Sequence, residues 1–237
     1  MVYEIIGSKE KAVAIIGFGT ENIKELAEKI MKQHKNVKSV LAKTGQREGV
    51  FRTHPTKLIL GDKNTEVIHK ENGYSIKIDP RIAYFSPRES TERLRLSKMI
   101  KAGEKILVMF SGVSPIAIAI KKVQPDCKIT CIEINPEAVK YADENVKLNK
   151  ICGIKNICGD VREVKLEKYD RIIMPLPETS LEYLDLAKKH CKGIIHLYGF
   201  AKDPKEITSK IEDKIIKIQR VLPYGPGIYK MRFDIEI

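Results

Sequence analysis

Three successive segments of the chain place small or acidic residues where a ligand could be held. The apolar run KILVMF is followed directly by SGVSP, and the small residues Ser111, Gly112 and Ser114 let this turn approach a ligand closely. Glu133 ends the next apolar run, TCIEI, and Asp160 follows the third, in CGDVRE. A carboxylate at the second strand end can accept hydrogen bonds from a ribose diol, and one at the third can reach an adenine amine.

This pattern favours S-adenosylmethionine over a dinucleotide. The turn lacks the GxGxxG glycines that a pyrophosphate requires beside a free helix N-terminus. Taken singly, the loop is also explained by a tight strand–helix turn, and each acidic residue by a solvated charge at a strand end. Three such features on successive strand ends favour a cofactor site. The predicted cofactor contacts are Phe110, Ser111, Gly112, Val113, Glu133, Ile134, Asp160 and Val161.

A charged segment, FSPRESTERLRLS, comes immediately before the first of these strands. It carries Arg88, Glu92, Arg93 and Arg95. One interpretation is an exposed helix face stabilised by i, i+4 ion pairs such as Arg88–Glu92. The other is that this segment brings charged groups to the ligand site, because it leads directly into the cofactor loop.

The elements that would position these residues change character near residue 80. From about residue 86, apolar strands alternate with amphipathic helices, which predicts an α/β domain with a parallel sheet covered on both faces. The last two strands face each other across PYGPG and are expected to pair antiparallel at one edge. Residues 1–80 are typical of a small α+β unit, in which ENG marks a hairpin turn. The predicted domains are therefore residues 1–80 and residues 81–237.

Composition limits the possible partners. The chain has 237 residues and a net charge of +12, which indicates a polyanionic partner, although a lysine-rich surface would give the same excess. No apolar run approaches the ~20 residues that span a bilayer, and MVYEIIGSKEK lacks the pattern of a secretory signal. Five cysteines without a CxxC pair do not indicate a metal site, so buried or idle thiols in a reducing cytoplasm are expected.

Together these motifs resemble the archaeal and eukaryotic tRNA (guanine-37-N1)-methyltransferases. The matching stretches are GVFRT, NTEVIHKENGYSIKID, YFSPRESTERLR, MFSGVSP, IEINPEAVKYADENVKLNK, GDVREV and IIHLYG, with a weaker echo in YGPGIY. FSPR…ER and EINP are the specific elements. The resemblance implies a Rossmann-type class I methyltransferase domain, mostly parallel with an antiparallel edge strand, preceded by a small α+β RNA-binding or accessory domain. It also implies S-adenosylmethionine as methyl donor, the tRNA anticodon stem-loop as partner, no membrane or protein partner, and a cytoplasmic location.

The resemblance also implies roles for individual residues. Guanine N1 must lose its proton for methylation, and O6 gains negative charge as the proton leaves, so a carboxylate base and a guanidinium serve this chemistry. The glutamate of the ER element, Glu92, is the implied base, and the arginine of the FR element, Arg52, is implied to stabilise O6. Arg88 is implied to brace the anticodon loop or Glu92. The implied substrate-binding residues are Arg88, Arg93, Pro175 and Pro177.

Three positions depart from the family pattern. Val108 stands where the family usually has an aspartate, and Ser114 where it has a glycine. Pro175 replaces an asparagine that helps to orient guanine, and proline has neither a side-chain amide nor a backbone N–H. We also expect no further N-terminal domain of the kind that many members use to grip tRNA.

Two rival functions stay open on the sequence alone. The wyosine-pathway enzyme of the same superfamily transfers the aminocarboxypropyl group of the same cofactor to a modified guanine, but it resembles this chain less in FSPR and PLP. A non-catalytic RNA-binding relative is favoured by the first and third departures. Arg52, Glu92, Glu133 and Asp160 argue against it, because a protein without catalysis would not need them.

Overall fold

The computed structural model describes residues 3–46, 49, 51 and 54–237, and the structural statements that follow concern those residues. The chain begins with a four-stranded sheet. Its elements are β1 (Tyr3–Gly7), β2 (Ala12–Ile16), helix α1 (Ile23–Gln33), β3 (Val37–Lys43) and β4 (Thr56–Gly61). The strands lie in sequence order, and only β2 and β3 are parallel, because α1 forms the crossover between them. Ala27 and Ile30 of α1 are fully buried among the apolar residues of this sheet.

A hairpin and a short helix connect this sheet to the rest of the chain. The hairpin consists of β5 (Val67–Glu71) and β6 (Tyr74–Ile78), and Asn72 and Gly73 form its turn with φ of 44° and 79°. Two central residues with positive φ are typical of the type I′ turn that ENG predicted. A 3₁₀ helix (Pro87–Glu89) then leads into helix α2 (Ser90–Ser97).

A seven-stranded sheet forms the larger part of the protein. Its strands are β7 (Lys105–Met109), β8 (Lys128–Glu133), β9 (Ile154–Cys158), β10 (Tyr169–Met174), β11 (Cys191–Ala201), β12 (Lys214–Gly225) and β13 (Ile228–Glu236). Their order is β12-β13-β11-β10-β7-β8-β9. The pairs from β9 to β11 are parallel, and β13 runs antiparallel to both of its neighbours. The antiparallel strand lies second from the edge, because β13 is mostly buried whereas β12 is mostly exposed.

Helices cover both faces of this sheet, and each face has its own core. The remaining helices are α3 (Pro115–Val123), α4 (Pro136–Leu148), α5 (Leu184–His190) and α6 (Lys205–Thr208). On one face, α2 and α3 pack on residues such as Val108, Ile173 and Tyr198. On the other, Met109 and Leu197 pack against α5 and α6. Successive strand residues alternate between these two cores, as expected for a sheet buried on both sides.

The two predicted domains share an apolar cluster. Ile6 and Leu41 of the first sheet and Ile76 of the hairpin belong to the same cluster as Val113 and Ile118 at the start of α3. The boundary at residue 80 therefore stays a prediction, and apolar side chains from both sides of it pack in one cluster.

Membrane-spanning helices and metal-ligand clusters are features that the described part of the chain does not contain. None of its helices combines the length and the apolar character that crossing a bilayer requires. Its His, Cys, Asp and Glu side chains form no group of three that could hold a metal ion. All five cysteines are free; the exposed ones are Cys152 and Cys158.

Candidate active site

The turn after β7 directs a backbone N–H group toward the end of β8. Phe110, Gly112 and Ser114 all have left-handed backbone, with φ of 55°, 56° and 61°. The N–H of Gly112 donates to Oε2 of Glu133 at 2.7 Å, and the N–H of Asn135 donates to Oε1 at 2.9 Å. Because both carboxylate oxygens accept backbone hydrogen bonds, Glu133 is fixed in orientation at the end of its strand.

The departure at Ser114 has a structural explanation. Its φ of 61° is a conformation that glycine adopts without cost, which is the residue type expected there from the family pattern. Here the serine Oγ donates to Oδ1 of Asn156 at 2.8 Å, so a side-chain hydrogen bond offsets part of the backbone cost.

The EINP segment joins β8 to α4. Burial raises the pKa of the Glu133 carboxyl, and the hydrogen bonds from Asn135 and Gly112 only partly offset this effect. The side chain of Asn135 accepts hydrogen bonds from the N–H groups of Glu137 and Ala138 at the start of α4. Its Nδ2 donates to the carbonyl of Ile82 at 3.0 Å, which ties this edge to the chain before α2.

Asp160 lies just after β9 and is held by Arg162. The N–H and Nε of Arg162 donate to the Asp160 carboxylate at 2.9 and 3.0 Å, and these bonds lower the pKa of Asp160. The same guanidinium lies 5.6 Å from the ring centroid of Tyr183. Tyr183 in turn meets Phe110 edge-on at 4.8 Å, so residues that follow β7, β9 and β10 form one wall.

A cavity of about 310 Å³ opens at the carboxyl ends of these central strands. It is lined by Gly49, Phe110, Ile132, Ile134, Gly159, Asp160, Val161, Arg162, Leu176, Thr179, Glu182 and Tyr183. Of the predicted cofactor residues, Phe110, Ile134, Asp160 and Val161 line this cavity. Glu133 lies between two lining residues, whereas Val113 is fully buried in the apolar cluster.

Four of the cavity residues that follow β10 were not predicted from the sequence. Leu176, Thr179, Glu182 and Tyr183 all line the cavity. Their position after the carboxyl end of a parallel strand was the available signal, because ligands of such sheets bind there. Residue type gave no further signal.

Glu92 lies in the interior, between α2 and the sheet, with 4% of the residue exposed. Its Oε1 accepts a hydrogen bond from the hydroxyl of Tyr198 at 2.9 Å and another from the guanidinium of Arg232. Its Oε2 accepts from the guanidinium of Arg95. Tyr198 directly follows Leu197, which pairs with the last residue of β10, so Glu92 lies near the carboxyl edge of the sheet.

A chain of buried polar side chains continues from Glu92 across the sheet. Arg232 Nε donates to Asp234 at 2.7 Å, and Asp234 lies 2.6 Å from Nδ1 of His196. Arg171 Nη1 lies 2.7 Å from Nε2 of the same ring, which assigns the proton of neutral His196 to Nδ1. Burial lowers the pKa of His196, in agreement with a neutral ring. These contacts join α2 to β10, β11 and β13.

The arginines of the charged segment have different partners. Arg93 is buried and donates to both oxygens of Glu71 in the hairpin, at 2.6 and 2.7 Å. Arg88 is exposed and donates to the carbonyl of Pro223 in β12 at 2.8 Å. The interpretation as an exposed helix face with an Arg88–Glu92 pair is therefore wrong, since Glu92 is buried and pairs with Arg95 and Arg232.

The other predicted substrate residues lie in separate places. Pro175 and Pro177 are half-buried in the chain that follows β10, on either side of the cavity residue Leu176. Arg52, the implied partner of guanine O6, lies outside the described residues. The structure thus brings four of the predicted cofactor residues together at one cavity and places Glu92 on the opposite face of the same sheet edge.

A seven-stranded sheet of this order, with a cavity at its central carboxyl ends, defines a class I methyltransferase fold. Residues 67–221 match the model of the TRM5/TYW2 methyltransferase domain, and the chain belongs to this family. The resemblance and the fold class predicted from the sequence are confirmed.

Individual relatives agree with this assignment. The tRNA (guanine(37)-N(1))-methyltransferase Trm5b of Pyrococcus abyssi is 39% identical over 252 residues, covering 99% of this chain and 74% of that protein. The tRNA(Phe) (4-demethylwyosine(37)-C(7)) aminocarboxypropyltransferase of Methanocaldococcus jannaschii is 31% identical over 230 residues, covering 89% of this chain and 92% of that protein.

Solved structures give the same picture. The structure described as the complex of aTrm5 and tRNALeu superimposes with a TM-score of 0.87 at 33% identity, covering 99% of this chain and 71% of that chain. Trm5 of Methanocaldococcus jannaschii in complex with adenosine gives 0.82 at 30% identity, with 99% and 71% covered. The chain therefore spans 71–74% of the length of these three methyltransferases.

Proposed function

We propose that this chain is a tRNA methyltransferase that transfers a methyl group from S-adenosylmethionine to N1 of guanine 37, and that it binds the anticodon stem-loop. The observation that carries the proposal is the cavity at the carboxyl ends of the central strands. Residues singled out for a nucleoside-containing cofactor line it, in a chain whose relatives include a named guanine-37 methyltransferase.

The described residues fit S-adenosylmethionine. Asp160, Val161 and Ile134 offer an acceptor and apolar contacts for an adenine ring, and Glu133 offers carboxylate lone pairs to a ribose. The backbone of the turn at Gly112 lies beside Glu133, at the same carboxyl edge of the sheet. When bound, the cofactor supplies an electrophilic methyl group.

We assign the N1 proton to Glu92. Guanine N1 gains the methyl carbon and loses its proton, and a carboxylate oxygen within hydrogen-bond reach can accept that proton. Oε1 is held in the interior by Tyr198 and Arg232, whereas Oε2 meets Arg95, whose side chain is 35% exposed. Displacement of the Arg95 guanidinium by the entering base would free a lone pair of Oε2 for the N1–H. Arg52 is proposed to stabilise O6, on the family resemblance.

The test of the activity is product analysis. A tRNA transcript with guanine at position 37 is incubated with the chain and S-adenosylmethionine, and a transcript with adenine there serves as the control. N1-methylguanosine and S-adenosylhomocysteine are expected from the first transcript only. Methylthioadenosine with an aminocarboxypropyl adduct would identify the rival transferase, and RNA binding without any product would identify a non-catalytic relative.

The test of the base is Glu92→Gln. We expect the single-turnover rate to fall roughly 10²–10⁴-fold, which is the usual contribution of general base catalysis. Higher pH should partly rescue the rate, because guanine N1 then loses its proton to solvent more easily. Because Glu92 also pairs with buried Arg232, unfolding of the variant is measured alongside. Tyr198→Phe is the matched control, since it removes one contact to Oε1 and keeps the carboxylate. Near-normal rates with weakened tRNA binding would make Glu92 a docking residue instead.

A further inference from the structure

Two stacked aromatic rings lie where β11 and β12 reach the carboxyl edge of the sheet. The ring centroids of Phe200 and Tyr224 are 3.9 Å apart, with 27° between the ring planes. Phe200 is half-buried, whereas Tyr224 is 56% exposed. A ring that is supported on one side and open to solvent is a surface on which a nucleobase stacks, and this pair is named the aromatic platform.

The aromatic platform lies beside the proposed base. Tyr198, whose hydroxyl contacts Glu92 at 2.9 Å, precedes Phe200 by two residues in the same strand. Residues two apart in a strand project from the same face, and the step between them is about 7 Å. Phe200 therefore lies on the same face as Tyr198, one step nearer the carboxyl end of the strand.

The charges around the aromatic platform suit a phosphate backbone. Arg88 is exposed and binds the carbonyl of Pro223, the residue before Tyr224. The nearby carboxylate of Glu89 is neutralised by Lys230 at 2.9 Å. A guanidinium beside an open ring is a combination that binds single-stranded nucleic acid.

We propose that the aromatic platform stacks an unpaired base of the tRNA loop next to the guanine that meets Glu92. The proposal rests on the proposed function for the identity of the RNA. It makes Tyr224 a positioning residue, which holds the neighbouring nucleotide so that the target base is directed toward the carboxylate.

The test uses a fluorescent anticodon stem-loop RNA and the full chain. The RNA carries 2-aminopurine on one or the other side of guanine 37, and S-adenosylhomocysteine replaces the methyl donor so that no reaction occurs. The variants are Tyr224→Ala, Tyr224→Phe, which keeps the ring, and Ile216→Ala, which removes an exposed apolar side chain elsewhere on β12.

We expect binding to quench one of the two probes with the wild type, with Tyr224→Phe and with Ile216→Ala. With Tyr224→Ala that quenching is lost and the affinity falls about 5- to 150-fold, the worth of one stacked base. Unchanged affinity with retained quenching would refute the aromatic platform, and so would an equal loss for Ile216→Ala. Calorimetry with S-adenosylhomocysteine checks that each variant is folded.

The two proposals fail in different ways. Binding with Tyr224-dependent quenching, but without methyl transfer by the wild type, would refute the proposed function and support the aromatic platform. Methyl transfer without any effect of Tyr224→Ala would refute only the aromatic platform. A wild type that does not bind the RNA would refute both.

Discussion

The pair formed by Glu71 and Arg93 gives a quantitative prediction about the helix that carries Glu92. Both side chains are nearly inaccessible, at 6% and 4% exposure, and Arg93 donates to both oxygens of the carboxylate. Burial alone raises the pKa of Glu71, but hydrogen bonds from His69 and Arg93 outweigh it and lower this pKa from 4.5 to about 2. Glu71→Gln removes the charge and keeps the shape.

The sign and size of the effect follow from linkage. A carboxyl group whose pKa is lower in the folded state contributes stability above its unfolded pKa, and loses it as the pH falls through the folded one. The drop from 4.5 to about 2, at about 1.4 kcal/mol per pKa unit, corresponds to about 3 kcal/mol at pH 7. About 2 kcal/mol of this is lost by pH 3. The difference in free energy of unfolding between the wild type and Glu71→Gln should therefore shrink as the pH falls from 7 to 3.

Urea unfolding of both proteins between pH 7 and pH 3 measures this difference. Glu10→Gln is the matched control, because the pKa of Glu10 is also lowered to about 2, by hydrogen bonds from Ser8 and Lys70, yet this carboxylate is exposed. Solvent screens such a pair, so little change is expected there. A difference between wild type and Glu71→Gln that stays constant from pH 7 to pH 3 would refute the reasoning.

Two further predictions concern the ligands. Glu133→Ala should weaken S-adenosylmethionine binding by about 1–3 kcal/mol, the scale of a lost charged hydrogen bond, and calorimetry that shows unchanged affinity would remove Glu133 from the cofactor site. The affinity for tRNA should fall steeply with salt, with log K linear in log salt concentration, because the net charge is +12. A flat response in a filter-binding titration would point away from phosphate contacts.

Local pattern was sufficient to predict most of the fold. Alternation of apolar strands and amphipathic helices predicted the parallel sheet, and ENG predicted the hairpin turn at Asn72 and Gly73. The position of β13 between β11 and β12 could not be read in this way. The strand order depends on which of β12 and β13 is buried on both faces. The sequence pattern predicted only that these two strands pair antiparallel.

The cavity at the strand ends was more predictable than the surroundings of the charged segment, for a physical reason. Cofactor residues follow the carboxyl ends of strands, and this topological rule places Asp160 and Ile134 at the cavity without knowledge of distant contacts. The charged segment obeys no such rule. Arg93 pairs with Glu71 and Glu92 pairs with Arg232, at separations of 22 and 140 residues. The sequence of the segment does not indicate either partner.

The same contacts determine how rigidly the Glu92 carboxylate is held. Oε1 of Glu92 is anchored to β11 through Tyr198 and to β13 through Arg232, while Arg93 fixes the next residue of the helix to the hairpin. A carboxylate held by side chains of two strands, on a helix that is itself tied to the hairpin, loses little conformational freedom when the guanine approaches. The buried ion pairs are therefore best understood as the support of the proposed base, and their loss should slow chemistry even where the fold survives.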